Sequence, residues 1–327
     1  ARDLVVQGYD VTIFDSGKAP GGMVRTQIPK FRLPDSVIDE ECQYILDLGV
    51  NLRLNHWVKS LESLVEDPQW DAIFVGTGAP RGRDADLPGR QEAAAHIHIG
   101  IDWLANVAFG HITSVAPRVI VLGGGNTAMD CCRSARRLGG ADVKVVVRSS
   151  FEEMKASPWE KEEAIHEQIP IINMHVPKAF VHEGSKLLGV NFEVVRAEYD
   201  SQGNRNLVPS GEPDVFIECD EVLVAIGQEN AFPWIEKDIG LEFTKRGLPA
   251  LDATTFQSSL PKVFFGGDAA FGPKNIITAV AQGHQAAISI DLFCKGRKLD
   301  DRPSPLFNLV SQKMGIHEWS YDNQVSE

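Results

Sequence analysis

A glycine triplet between two differently patterned segments constrains this sequence most. The segment "RVIVLGGGNTAMDCCRSARRL" runs from consecutive apolar residues through Gly123, Gly124 and Gly125 into a helical pattern that starts at Asn126. The spacing is G-x-G-x-x-A, with Ala128 in the third position. In such a turn the first glycine allows the sharp bend, the second lets the backbone approach a pyrophosphate, and a small third residue lets helix and strand pack closely. The pattern predicts a dinucleotide-binding β-α-β unit; the alternative is a glycine turn that serves packing alone.

The end of the next strand, "VKVVVRSS", bears on which dinucleotide such a unit would take. An acidic residue there would accept hydrogen bonds from the ribose hydroxyls of NAD, whereas a guanidinium and hydroxyl groups suit a 2′-phosphate. The residues present are Arg148, Ser149 and Ser150. They favour NADPH over NADH, unless Arg148 merely pairs with Glu152 or Glu153 in the segment that follows.

A second nucleotide-binding unit is indicated at the start of the sequence. "ARDLVVQGYDVTIFDSGKAPGG" has the pattern of a helix followed by a strand that ends at Asp15. A carboxylate at that point can accept hydrogen bonds from both ribose hydroxyls of an adenosine. A complete unit needs a strand and a glycine loop before the helix, so we expect the given chain to lack both. The alternative is a single cofactor and an accidental helix–strand pair.

The segment "FFGGDAAFGPKNIITAVAQGHQAA" is the third candidate. Asp268 follows a double glycine at a strand end, where it can accept a hydrogen bond from a ribityl hydroxyl. A helix that begins near Asn275 directs its N–H groups and its positive end toward whatever lies before it. Such a helix end stabilises the negative charge that a flavin ring gains on reduction. The alternative is a surface aspartate that caps a turn.

Composition and patterning set the general class. Short apolar runs alternate with helical patterns almost throughout, which predicts an α/β protein. The run "DAIFVGTGAP" predicts a strand that is buried on both faces and ends in a glycine turn. The formal net charge of −13 argues against nucleic acid and anionic membranes as partners. No apolar run approaches the roughly 20 residues of a membrane span. The five cysteines form no C-x-x-C, which is typical of reduced thiols and a cytoplasmic location.

Four segments together resemble one family. "APGGMVRTQIPKFRLPDSVIDEE", "VLGGGNTAMD", "VAIGQEN" and "GGDAAFGPKNIITAVAQGHQAA" are similar to the small (β) subunit of glutamate synthase and its relatives. These are FAD- and NAD(P)H-dependent oxidoreductases with two Rossmann-like dinucleotide-binding domains. The resemblance implies a discontinuous FAD domain at residues 1–110 and 229–297, with an NAD(P)H domain inserted at residues 111–228. The polar tail, residues 298–327, is expected to be loose or docked on a partner.

The resemblance also implies which residues contact the cofactors. The positions carried over to FAD are Asp15, Gly21, Gly22, Met23, Val58, Thr77, Gly78, Gly267, Asp268, Asn275, Ile276 and Ile277. Those carried over to NAD(P)H, beside Gly123, are Gly124, Gly125, Asn126, Thr127, Arg148 and Glu160, the last near the nicotinamide. The family's second arginine for the 2′-phosphate is Ser149 here, which leaves NADH open as the nucleotide.

The implied activity is electron transfer between NAD(P)H, FAD and an iron–sulfur partner within a larger redox complex. Hydride transfer between the two cofactors needs no protein acid or base, so no catalytic side chain and no metal ligand are predicted. The same kind of chain could serve aldehyde, formate or hydrogen oxidation. The alternative from another class is a non-catalytic dinucleotide-domain scaffold.

Overall fold

The computed structural model describes residues 1–203 and 205–303, so the predicted tail lies largely outside the described residues. The strands are β1 Thr12–Phe14, β2 Asn51–Arg53, β3 Ile73–Val75, β4 Arg81–Gly82, β5 Ile97–Ile99, β6 Arg118–Leu122, β7 Asp142–Val146, β8 Ile171–Ile172, β9 His175–Glu183, β10 Lys186–Tyr199, β11 Arg205–Pro209, β12 Val215–Glu218, β13 Glu221–Val224, β14 Gln228–Glu229 and β15 Val263–Phe265. The helices are α1 Arg2–Val5, α2 Gly22–Gln27, α3 Asp35–Leu46, α4 Leu61–Glu66, α5 Gly100–Ala108, α6 Asn126–Arg137, α7 Pro158–His166, α8 Asp268–Phe271 and α9 Ile276–Cys294. The predicted α/β class with Rossmann-like sheets is confirmed.

A five-stranded parallel sheet, in the order β5-β13-β6-β7-β8, forms the middle layer of the central part of the chain. Its inner strands are apolar on both faces because both faces are covered. Val119 and Val121 of β6 share a core with Met129 of α6. Ile120, the residue between them, shares a different core with Phe192 of β10. The result is three layers: helices, the parallel sheet and an antiparallel sheet.

The antiparallel layer is built around the long strand β10, which pairs with β9, β11 and β12. The hairpin of β10 and β11 extends past the sheet's core, since the register pairs Tyr199 with Arg205 at its far end. This extension carries Arg205 back to the carboxyl end of β7, next to the turn that follows it.

The remaining strands form two short parallel pairs, β1 with β2 and β15 with β3. The sequence pattern of β3 suggested burial on both faces, and this is wrong for Phe74, which is 44% exposed. Its ring lies against Gly76 and Gly266, where an added Cβ would approach it to 3.0 and 2.7 Å. Phe74 therefore lies over two glycines and remains partly exposed.

The predicted boundary at residue 110 does not coincide with the edge of the parallel sheet. Strand β5 precedes that residue and yet is hydrogen-bonded to β13. The chain passes into and out of this sheet through β4 and β14, which pair with each other. The division into an FAD and an NAD(P)H domain stays a prediction, and we propose β4 and β14 as its boundaries.

Among the helices that the structure describes, none is long and apolar enough to cross a bilayer. The adjacent Cys131 and Cys132 are free thiols buried in α6. Burial raises the pKa of both thiols, which disfavours the reactive thiolate. Both side chains pack in the core beneath the parallel sheet.

Candidate dinucleotide-binding sites

The first glycine of the triplet is required by packing at the end of β6. Gly123 has a φ of 138°, and an added Cβ would lie 2.2 Å from the carbonyl oxygen of Ala225. That oxygen belongs to the residue that follows β13, the neighbouring strand. A side chain at Gly123 would therefore force the two strand ends apart, in addition to the strain of a positive φ.

The third glycine has a different environment. An added Cβ at Gly125 would meet no atom within 4 Å, and the residue lies directly before the first turn of α6. The backbone N–H groups of Asn126 and Thr127 have no hydrogen-bond partner within the described ranges. The Asn126 side chain accepts a hydrogen bond from the Ser157 amide at 2.8 Å, which fixes the loop. The arrangement is an open helix N-terminus of the kind that binds phosphate groups.

Arg148 follows β7 at the neighbouring strand end and is exposed. Its side chain forms no hydrogen bond or ion pair with any described residue. Arg148 therefore does not pair with Glu153, as the alternative from the sequence would have it. Glu153 instead contacts Ser150, Tyr199 and Arg205. The Arg148 guanidinium therefore remains available to an anion at this edge of the sheet.

The residues carried over to the first part of the FAD site lie in the loops after β1, β2 and β3 and at the start of α2. Asp15 accepts a hydrogen bond from the Gly17 amide at 2.7 Å. Gly21 and Gly22 have φ values of 116° and 50° and begin α2. The structure places Val58 in the loop after β2 and Thr77 in the loop after β3.

Met23 of α2 and Gly78 of the loop after β3 lie together although they are far apart in the sequence. The sulfur of Met23 would be 3.3 Å from a Cβ added at Gly78, whose φ is 72°. The start of α2 therefore contacts the loop after β3, and both follow the carboxyl ends of strands, where α/β proteins bind ligands.

The second part of the predicted FAD site surrounds the start of α9. The Gly267 amide donates to Gln282 at 2.8 Å, and Asp268 accepts from the Lys274 amide at 2.9 Å. Burial raises the pKa of the Asp268 carboxyl. Asn275 caps the helix by accepting a hydrogen bond from the Thr278 amide at 2.8 Å.

Apolar side chains are exposed at this helix start. Ile277 is 80% exposed, and Ile276 and Val280 are also exposed. Three exposed apolar side chains on one helical turn form an uncovered hydrophobic patch beside the helix N-terminus, and such patches mark binding surfaces. Val280 had no signal of its own in the sequence, because a valine in a helical pattern is ordinary core material.

Glu160 lies in a buried charge network rather than in an open loop. It accepts from Arg133 at 3.1 Å and is in contact with Arg32. Arg32 also donates to Asp130 at 2.6 Å. Asp130, Arg133 and Glu160 are all buried, with 5%, 6% and 4% of their surface exposed. The proposed contact of Glu160 with nicotinamide stays a prediction, but this carboxylate already has two guanidinium partners.

Burial raises the pKa of the Asp130 carboxyl from 3.8 to about 6, against the opposing effect of the Arg32 guanidinium. Arg32 and Asp130 are 98 positions apart in the sequence, so no local pattern could indicate their contact. The network joins the segment after α2 to the helix that begins at the glycine triplet.

Comparisons with known proteins identify the family. The sequence model of the pyridine nucleotide-disulphide oxidoreductase family matches residues 35–283. This chain belongs to that family. The resemblance to the glutamate synthase small subunit and its relatives is likewise confirmed.

Three curated relatives show the range of such chains. The NADP(+)-dependent formate dehydrogenase subunit beta of Moorella thermoacetica is 33% identical over 323 residues, which cover 97% of this chain and 45% of the relative. The NADPH-Fe(3+) oxidoreductase subunit beta of Geobacter sulfurreducens is 30% identical over 87% of this chain and 46% of its own length. The glutamate synthase [NADPH] small chain of Halomonas elongata is 32% identical over 88% of this chain and 63% of its own. The chain thus spans about half the length of the first two relatives.

Solved structures agree on the fold. FprA from Mycobacterium tuberculosis superposes with a TM-score of 0.72 at 15% identity, covering 95% of this chain and 82% of its own. Thioredoxin reductase from T. acidophilum gives a TM-score of 0.66 at 19% identity, covering 89% and 92%. At these identities the agreement establishes the fold alone.

The residues fit the FAD and NAD(P)H that this pyridine nucleotide-disulphide oxidoreductase family binds. The nicotinamide nucleotide fits the open space beside Gly125, in front of the N-terminus of α6. The flavin fits the exposed apolar patch of Ile276, Ile277 and Val280, beside the N-terminus of α9. The assignment of individual residues to either cofactor remains a prediction.

Substitutions at the first and third glycines should have different effects. We expect Gly123→Ala to lower the free energy of unfolding by about 2 kcal/mol or more, because it combines a positive φ with a backbone clash. Gly125→Asp should change it by less than about 1 kcal/mol, because its Cβ enters open space. The same Gly125→Asp variant should bind NADP(+) roughly tenfold or more weakly, since its carboxylate would face the pyrophosphate. Urea unfolding measures the free energy of unfolding, and calorimetric titration measures the affinity for NADP(+). Equal stability losses for the two variants would contradict this division of roles.

The ionisation of Asp130 should make the free energy of unfolding depend on pH. Its carboxyl binds a proton more tightly in the folded state, so its contribution to stability falls as the pH rises from about 4 to about 6. Asp130→Asn removes this contribution. The difference in unfolding free energy, variant minus wild type, should therefore increase by about 2 kcal/mol between pH 4 and pH 7.

Urea unfolding at several pH values measures that difference. Asp86→Asn, at an exposed position, controls for the loss of one acidic charge and should show no comparable increase. A difference for Asp130→Asn that stays constant with pH would show that the folded state does not perturb this carboxyl.

Proposed function

We propose that this chain is the FAD- and NAD(P)H-binding part of an oxidoreductase that exchanges electrons with an iron–sulfur partner in a larger complex. The observation that carries the proposal is the open helix N-terminus at Gly125, with unpaired N–H groups at Asn126 and Thr127 and an exposed cation, Arg148, at the neighbouring strand end. These features suit the pyrophosphate and the adenosine end of a nicotinamide nucleotide.

The flavin part of the proposal rests on the start of α9. A bound FAD would accept a hydride from the nicotinamide and release electrons singly to a partner. The N–H groups and positive end of α9 would stabilise negative charge at the ring edge, and the patch of Ile276, Ile277 and Val280 would exclude water from it. Asp268 and Asp15 would hold hydroxyl groups of the cofactor.

The partner assignment is supported by the names of the relatives. Two of them are named as β subunits and one as a small chain, so such chains act within larger assemblies. One relative acts on formate, one on Fe(3+) and one in glutamate synthesis by name, which indicates that one electron-transfer unit serves several terminal reactions. The five free cysteines and the acidic composition further support a cytoplasmic location.

An anaerobic titration of the purified, FAD-loaded chain tests the proposal directly. We expect the flavin absorbance to bleach with near-stoichiometric NADPH, and with NADH only at higher concentration, because Arg148 suits a 2′-phosphate. Gly125→Asp should retain bound FAD and lose the bleaching, whereas the reduced wild-type chain should transfer electrons to an added ferredoxin. Bound flavin that neither nucleotide bleaches would favour a non-catalytic scaffold.

A further inference from the structure

We propose that Arg205 is a specificity-determining residue that binds the 2′-phosphate of NADPH together with Arg148. The inference rests on the proposed function, since it concerns the adenosine end of the same nucleotide site. It adds a residue from the β10–β11 hairpin to a site whose other residues follow β6 and β7.

The hairpin brings Arg205 to the backbone of Arg148. Nη2 of Arg205 donates to the carbonyl oxygen of Arg148 at 2.9 Å, across 57 positions of sequence. Both residues line one cleft of about 340 Å³, together with Asn206 and Leu207. Two guanidinium groups therefore share the space beside the end of β7, where a dinucleotide-binding fold places the 2′ position of the ribose.

The Arg205 side chain is oriented by Glu153, at 3.4 Å from its Nε. Glu153 is itself held by hydrogen bonds from Tyr199 and Ser150. The hydrogen bond from Tyr199 is the main reason that the pKa of Glu153 is lowered, so this carboxylate stays ionised and keeps its hold on Arg205.

The donors of the two arginines are not all used within the protein. Nε of Arg205 is buried against Glu153 and Nη2 donates to the Arg148 carbonyl, but Nη1 forms no hydrogen bond with any described residue. The Arg148 guanidinium has no partner at all among the described residues. A phosphate monoester carries between one and two negative charges near neutral pH and offers three acceptor oxygens, and guanidinium groups match it with paired, charge-assisted hydrogen bonds. A ribose diol offers no such charge.

The position of Arg205 matters because the residue after Arg148 is Ser149. The short Ser149 side chain cannot reach a 2′-phosphate as an arginine side chain would. The backbone oxygen of Ser149 is already bonded to the Asn173 side chain at 3.0 Å, so this turn is fixed in place. Ser149 leaves Arg148 as the one cation of this turn, and Arg205 adds a second guanidinium to the cleft.

Binding of two adenosine probes to the full chain tests the inference without requiring turnover. One probe, 2′,5′-ADP, carries the 2′-phosphate; the other, 5′-AMP, lacks it. We expect Arg205→Gln to weaken 2′,5′-ADP binding roughly 10- to 100-fold in calorimetric titrations, since it removes charge-assisted hydrogen bonds. Binding of 5′-AMP should change less than about threefold, because the shared groups remain. Arg205→Lys should recover part of the loss by restoring the charge.

Arg196→Gln is the matched control. Arg196 lies on β10 of the same hairpin, where it bonds to Glu198 and to the Ser210 carbonyl, and its loss removes the same charge. This control should leave both probes unaffected. Equal losses of both probes in Arg205→Gln would overturn the inference in favour of a structural role, and so would unchanged binding of both. If wild type bound neither probe, the proposed function would fail, and the inference with it.

Discussion

The side chain of Arg32 joins parts of the chain that are far apart in sequence. Its guanidinium lies between Asp130 of α6 and Glu160 of α7, and Arg133 completes the network from the other side of Glu160. Charges removed from water at such a depth are costly unless each has a partner. Each charge is paired only when these elements lie together, so the network specifies one arrangement of them more strongly than it adds to overall stability.

The consequence of that arrangement concerns the start of α6. Phe31, next to Arg32, places its ring 3.9 Å from the Arg137 guanidinium and 5.1 Å from that of Arg133. Helix α6 is thus held by the parallel sheet on one side and by the segment after α2 on the other. Its first turn carries the N–H groups that are proposed to bind the nucleotide. A phosphate site built from backbone groups is only as well placed as the helix that supplies them, which gives a buried and energetically costly network a role in function.

What the sequence could predict was local. The glycine triplet, the helix after it and the cap at Asn275 each follow from a few consecutive residues, and the sheets follow from runs of apolar residues. The contacts of Arg32 and Arg205 lie 98 and 57 positions away and depend on how separate elements pack. The burial of Phe74 was misjudged for a related reason. A pattern of apolar residues gives the faces of a strand, but it does not show which neighbours cover them.

The same limit applies to the choice between the two nicotinamide nucleotides. The turn "RSS" alone leaves that choice open, because its single cation could be outweighed by a nearby carboxylate such as Glu153. In the structure, however, Glu153 already accepts from Ser150 and Tyr199 and is paired with Arg205. A carboxylate whose oxygens are used in this way is a poor acceptor for ribose hydroxyls, and its charge is balanced by the arginine that it orients. If Arg205 acts as proposed, the balance at this end of the site depends on the β10–β11 hairpin, and a chain with the same turn but a different hairpin would bind the nucleotides differently.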